Sequence, residues 1–236
     1  MNTDRHRLRQ ASHARLWAMR WFGVGVCLVG LLVGSAVGLD GPEVVRRMQG
    51  RFAKVQTLSA RFEKQHHWQL VDQKTRLKGR LYVEKPGKFR FETDVQTVAT
   101  DGTTAWNYVP DNEQVLVSGY GKVQEDRSFE KMLFDLILLG AGEYTSAFTA
   151  GYGGDARVRG SRCHILVLDA READRYVSRV RVWVDRKLWL VRRIEYRNIN
   201  DDVTTYELWD IKVNKELKPS LFTFEPPKGV EVVDLR

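Results

Sequence analysis

The sequence predicts a mainly β fold: an antiparallel, strongly curved sheet or unclosed barrel with two helices laid against its concave side. Three observations carry that expectation. About ten or eleven short runs alternate apolar with polar residues, the period of a half-buried strand. Two stretches switch instead to helical spacing, one near residue 44 and one near residue 132. Strands and helices do not take turns along the chain, so a parallel sheet built from crossover units is not expected.

Composition supports a globular protein. Of 236 residues, 43% are hydrophobic, 11% aromatic and 29% charged, which suits one domain or a small pair. The net charge of +8 is unevenly spread. Residues 1–38 hold five arginines (Arg5, Arg7, Arg9, Arg15 and Arg20) against Asp4, a net of +4, leaving 33 basic and 29 acidic groups on the rest. That balance argues against a nucleic-acid binder.

The uneven charge has a local cause. A basic region ends at Arg20, residues 21–33 are almost wholly apolar, and small residues follow at 34–38. This order is that of a secretory signal, with Ala36-Val37-Gly38 as the cleavage triplet and Leu39 as the expected mature N-terminus. An uncleaved membrane anchor is the alternative, since the apolar stretch approaches spanning length when the small residues are counted. Cys27 lies in the apolar run without the small-residue context of lipid attachment. Its removal would leave Cys163 unpaired, so the exported domain, expected over 39–236, must hold together by burial. Cys163 itself reads as a buried strand thiol.

In chain order, Asp40-Gly-Pro-Glu43 is a helix start, with a capping carboxylate, a proline and an acid in the first turn. Val44, Val45, Met48, Phe52 and Val55 then recur three or four apart, predicting an amphipathic helix to about Lys54. Thr57 opens a strand in which Leu58, Ala60 and Phe62 alternate with Ser59, Arg61 and Glu63, and His66-His67-Trp68 continues it or begins a loop. The stretch 79–92 is a hairpin: Leu81 and Val83 face one way, Arg80, Tyr82 and Glu84 the other, and Pro86-Gly87 breaks the ladder. After that turn Phe89 and Phe91 share one face while Lys88, Arg90 and Glu92 share the other, and the cation Lys85 sits beside the break.

A second hairpin turns at Asp101-Gly102, with Thr104, Trp106 and Tyr108 on one face of the following strand. Pro110-Asp-Asn112 turns the chain again into Val115 and Val117. The pattern then becomes helical over 126–139, where Phe129, Met132, Leu133, Leu136 and Ile137 are spaced three or four apart. Its second half, from Leu133 and Phe134 to Leu139, is apolar nearly all round, so it is either core or cover for something apolar. Gly151-Tyr-Gly-Gly154 reads as a loop. Strands resume through His164 to Leu168, through Val180, Val182 and Val184, through residues 190–197, and from Thr204 to Val213. A last segment, 230–233, follows Phe222-Thr-Phe224 and a proline pair. Arginines on the late strands read as a solvated outer face.

Catalytic patterns are missing: no nucleophile elbow, zinc-protease helix, Cys-x-x-Cys pair or phosphate loop occurs. Adjacent strand residues face opposite ways, so His66 and His67 do not form a metal pair. A curled sheet with an aromatic interior and an apolar helix is instead a container for an apolar ligand. No cofactor is expected.

Three motifs then point to a family. Gly79-x-Leu-x-Val-x-Lys-Pro-Gly-Lys-Phe-Arg-Phe-Glu92, Asp101-Gly-x-x-x-Trp-x-Tyr-x-Pro-x-x-x-Gln114 and Phe222-x-Phe-x-Pro-Pro-x-Gly-Val230 resemble the periplasmic outer-membrane lipoprotein carrier family, LolA, in order and spacing across essentially the whole exported chain. The resemblance implies an unclosed β-barrel covered by an α-helical lid over a hydrophobic cavity, and no enzymatic activity. It implies a monomeric periplasmic carrier that takes the acyl chains of lipoproteins released by an inner-membrane ABC-type complex and passes them to an outer-membrane acceptor. A binder of free lipid, or an envelope sensing or scaffolding domain, are the alternatives on the same fold. The implied acyl-chain and lid residues are Lys85, Phe89, Phe91, Trp106, Leu133, Phe134, Leu136 and Ile137. One position departs from the pattern: the family's arginine before the hairpin proline, which holds the lid, is Lys85 here. Lysine keeps the charge without the planar fork.

Overall fold

A computed structural model describes residues 38–121, 148–171 and 177–236. The expected signal segment, apart from Gly38, and the expected helix at 126–139 lie outside the described residues.

The compact unit Gly38–Arg236 begins with a helix, α1 (Gly41–Ala53). The chain starts it as the sequence dictates. The Asp40 carboxylate accepts from the Glu43 N–H at 2.8 Å, and Pro42 occupies the first turn, where its missing donor costs nothing. Glu43 in turn accepts from Arg46 and Arg47 one helical turn on. Val44, Val45, Met48 and Phe52 form the buried stripe.

Six strands follow as a meander: β1 (Thr57–Trp68), β2 (Gln73–Glu84), β3 (Lys88–Thr93), β4 (Thr97–Asp101), β5 (Thr104–Val109) and β6 (Gln114–Gly119). A second series comprises β7 (Phe148–Val158), β8 (Ser161–Ala170), β9 (Val177–Asp185), β10 (Val191–Asn198), β11 (Val203–Val213) and β12 (Glu231–Asp234). All twelve join in one sheet, in the order β12-β6-β5-β4-β3-β2-β1-β11-β10-β9-β8-β7. Every pairing is antiparallel except β12 with β6, which is parallel. β12 and β7 remain as edges, so the sheet does not close.

The expected strands are present with modest shifts of boundary. The hairpin expected at 79–92 is longer, because β2 begins at Gln73 and pairs with β1 along its whole length. One reading is corrected: Gly151 to Gly154 lies inside β7. The glycines fit there because the pairing with β8 slips between Tyr152 and Asp155, a bulge of the kind that glycine tolerates.

α1 packs on one face of the sheet along two core clusters. Its first half meets Leu166, Val180, Val182 and Ile194 of β8–β10. Its second half meets Leu58, Phe62, Leu81 and Leu208 of β1, β2 and β11. Gly79 is required in that second cluster. The Phe62 ring lies over it, stacked on Phe91 with centroids 4.6 Å apart. A methyl group at residue 79 would stand 2.4 Å from that ring and 2.3 Å from the Glu92 carbonyl oxygen.

The other face of β3–β6 has its own cover. After β11 the chain returns across it: Arg90 donates to the Thr223 carbonyl oxygen, the Phe224 ring lies 5.2 Å from that of Tyr108, and Lys88 approaches Phe222. Phe222 is fully buried. On that same face at the β7–β9 side, Cys163 packs with Ile165 and Trp183, and burial, followed by the nearby Asp185 charge, pushes its thiol up to about 11. The thiol is therefore not a nucleophile at neutral pH.

Candidate functional site

Residues paired across a sheet project to the same face, so the register decides which candidate side chains can meet. Leu81 pairs with Phe91 and Val83 with Phe89. On the far side Phe89 pairs with Thr100 and Phe91 with Val98. These side chains therefore share the face that carries α1. The sequence alternation made the same grouping within the hairpin, and β1 extends it with Leu58, Ala60 and Phe62. On β5 and β6 the face continues through Ala105 and Leu116.

Trp106 does not join them. It pairs with Ala99, and Ala99 pairs with Arg90, a residue of the opposite face. The tryptophan thus stands with Arg90 and Tyr108 on the side crossed by the C-terminal segment. Phe89 and Trp106 are both aromatic residues of alternating strands. Alternation fixes faces within a strand but not between strands, and that is where the sequence reading lost them.

Lys85 is placed at the end of α1. Its Nζ donates to the Phe52 carbonyl oxygen at 2.7 Å and lies 4.1 Å from the Phe52 ring centroid. Its backbone N–H donates to the Gln56 carbonyl at 2.9 Å. Carbonyls at a helix C-terminus lack intrahelical partners, and the dipole there favours a cation. Asn214 completes the arrangement from β11's end: it donates to the Lys54 carbonyl and accepts from the Gln56 N–H. Burial lowers the Lys85 pKa. The apolar segment expected to form the lid, with Leu133, Phe134, Leu136 and Ile137, lies outside the described residues.

The histidines are engaged locally. His66 Nδ1 contacts the Thr204 hydroxyl at 2.7 Å, and His67 Nε2 contacts the Asp72 carboxylate at 2.6 Å. Among the described residues no group of three or more His, Cys, Asp or Glu side chains is arranged to hold a metal ion.

The site was under-read in two places. Val98 and Leu116 were not singled out, yet the register sets them on the face of Phe89. The turn at Asp101-Gly102 joins only β4 to β5, whereas their places follow from the β3–β4 and β5–β6 registers, so that turn alone does not reveal them. Asn214 was not read at all, since nothing in its neighbours predicts that a residue after β11 closes a helix 160 positions earlier.

Comparison with known proteins gives the same direction. The family model described as outer membrane lipoprotein carrier protein LolA matches residues 53–225. An outer-membrane lipoprotein carrier protein of Legionella pneumophila is 27% identical over 193 residues, covering 79% of this chain and 87% of that one. The protein of the same description from Pseudomonas aeruginosa is 27% identical over 213 residues, covering 86% and 94%. Among solved structures, an uncharacterized conserved protein of Thermus thermophilus superposes with a TM-score of 0.53 at 13% identity, over 82% of this chain and 98% of that one, a likeness of fold.

Proposed function

Because the chain belongs to the outer-membrane lipoprotein carrier family, we propose that it is a periplasmic carrier whose helix-bearing face receives the acyl chains of lipoproteins. The observation that carries this reading is the continuous apolar run Leu81, Val83, Phe89, Phe91 and Val98 across β2–β4. In this reading residues 1–38 export the chain, 39–236 form the carrier, and the apolar segment at 126–139 supplies a cover over the acyl chains. The partners are acylated proteins, an inner-membrane ABC-type releasing complex and an outer-membrane acceptor.

The physical requirement is a balance. Burying acyl chain is favourable by about 0.8 kcal/mol per methylene, so a rigid, perfectly fitted pocket would hold its cargo too firmly to release it. A cover that packs on the carrier's own wall when empty competes with the ligand and lowers its net affinity. No phosphate loop occurs in the sequence, so in this reading the energy for loading comes from the partner.

The test is co-purification of the tagged exported protein, with mass spectrometry of whatever is bound, in wild type and in Phe89→Glu. Acylated proteins on the wild type and their loss from a folded Phe89→Glu protein are expected. Free lipid alone would identify a lipid binder instead, and unchanged cargo on Phe89→Glu would move the site elsewhere.

A further inference from the structure

The β7–β8 and β9–β10 turns lie side by side at one end of the sheet. The first is a two-residue turn closed by the Val158–Ser161 pair; Arg159 and Gly160 both have positive φ, 45° and 80°, as a turn of the primed type needs. The Arg186 N–H donates to the Arg162 carbonyl oxygen at 3.0 Å and ties the two turns together. Between them is a groove of about 590 Å³, lined by Arg157, Arg162, Arg186, Lys187 and the carboxylate residue Asp185.

The acids near this groove are already committed. Asp185 is buried and accepts from the N–H groups of Lys187 and Leu188 and from Arg192. Asp155 accepts from Tyr152, contacts His164 and pairs with Arg186 at 3.3 Å. Setting Arg192 and the four lining cations against these two carboxylates leaves a net of +3. Elsewhere on the late strands Arg179 has Asp169, Arg181 has Glu195 and Arg193 has Glu207 across the sheet. Arg162 and Lys187 have no carboxylate within 4.0 Å among the described residues, although both are exposed and free to seek one.

We propose that this groove is an anion site for a phosphate group, of the kind carried by a phospholipid headgroup or by a free phosphate ester. Guanidinium forks match phosphate oxygens in pairs and lysine adds a compact point charge. The two turns, tied by the Arg186 N–H to Arg162 carbonyl bond, fix the backbone that carries these cations, which limits the ordering required on binding. The volume accommodates a glycerophosphate group rather than a single small ion. The inference is independent of the acyl-chain reading: the groove is built from β7–β10, and the apolar run from β2–β4.

The experiment pairs two probes with two variants of the full chain. Glycerol 3-phosphate is titrated calorimetrically, and vesicles of phosphatidylcholine with and without phosphatidylglycerol are sedimented with the protein at fixed ionic strength. The variant R162S/K187S removes the two unpaired cations. A control, K74S/R76S, removes the same charge from β2 at the opposite end of the sheet. R162S/K187S is expected to lose about ten-fold or more in affinity, as losing charge-assisted contacts implies, with an unchanged unfolding midpoint, while K74S/R76S keeps wild-type binding. Should R162S/K187S unfold, Arg157→Ser gives the same reading. Binding to phosphatidylglycerol vesicles alone assigns the phosphate to a membrane headgroup; binding to both probes assigns it to the ester itself. Wild-type protein that binds neither probe, or equal losses in the two charge variants, would overturn the site.

Discussion

The Lys85 ammonium sits 2.7 Å from the carbonyl oxygen of Phe52 and 4.1 Å from the centre of that residue's own ring. One side chain thereby satisfies the end of α1 and covers an aromatic of the core. Phe52 O retains the Val55 N–H as a partner, so Lys85→Leu does not orphan it. The expected cost is about 1 kcal/mol, the net worth of such a bond, read as a lower midpoint in urea unfolding. Lys85→Arg should recover most of it, since the guanidinium keeps both the charge and the ring contact. A Lys85→Leu protein as stable as wild type would show that the helix end is held by Asn214 and its own backbone.

Gly79→Ala should be more damaging than a glycine replacement within a strand usually is. One of the three atoms that the new methyl group meets is a backbone oxygen, which cannot swing aside. Overpacking of this kind costs about 1–3 kcal/mol. The Phe62–Phe91 stack should be disturbed with it, visible as shifted aromatic resonances. Full retention of stability would mean that β2 and β3 can separate locally without loss.

The carboxyl of Asp185 gives a pH dependence with a definite sign. Burial acts to raise its pKa, but the N–H groups of Leu188 and Lys187 and the Arg192 guanidinium outweigh burial and hold it below the usual aspartate range. A depressed folded-state pKa contributes stability that is complete above the unfolded value and is lost as pH falls through the folded one. Asp185→Asn should therefore cost about 3 kcal/mol at neutral pH, as breaking a buried pair does. The gap from wild type should narrow below about pH 4. Equal gaps at pH 7 and pH 3 would place the effect in packing rather than charge.

Trp106 and Phe222 test the two-faced character of β3–β6. If the proposed carrier role holds, Trp106→Ala should leave acyl-chain binding at the wild-type level, because the side chain faces away from Phe89. Phe222→Ala should destabilise by about 3 kcal/mol or more, the cost of emptying a fully buried aromatic site. Loss of cargo in a stable Trp106→Ala protein would reassign the binding face.

These contrasts show where the sequence was readable. Asp40, Pro42 and the 3.6-residue stripe from Val44 to Phe52 specify α1 locally, and the alternation of 79–92 specifies its hairpin. Turns that join neighbouring strands are written in adjacent residues. What failed to appear was non-local. Trp106 was misplaced because the C-terminal segment makes the second face of the same strands apolar as well, and a segment more than a hundred residues later leaves no mark beside Trp106. Lys85 is legible as a cation beside a turn, but its partner in α1 is not. Phe52 had already been counted as one more apolar residue of the stripe.

The strand order has a consequence for how the protein is made. β1 lies between β2 and β11, and β6 lies between β5 and β12. The first six strands therefore have both outer flanks finished by residues from Val203 onward. A chain that emerges N-terminus first presents two open strand edges for most of its passage, each able to recruit a foreign strand. It cannot settle into its final pairing until β11 and β12 arrive. The order of synthesis and the order of sheet completion run in opposite directions here, so a holding factor that shields strand edges should matter more to this protein's yield than to its final stability.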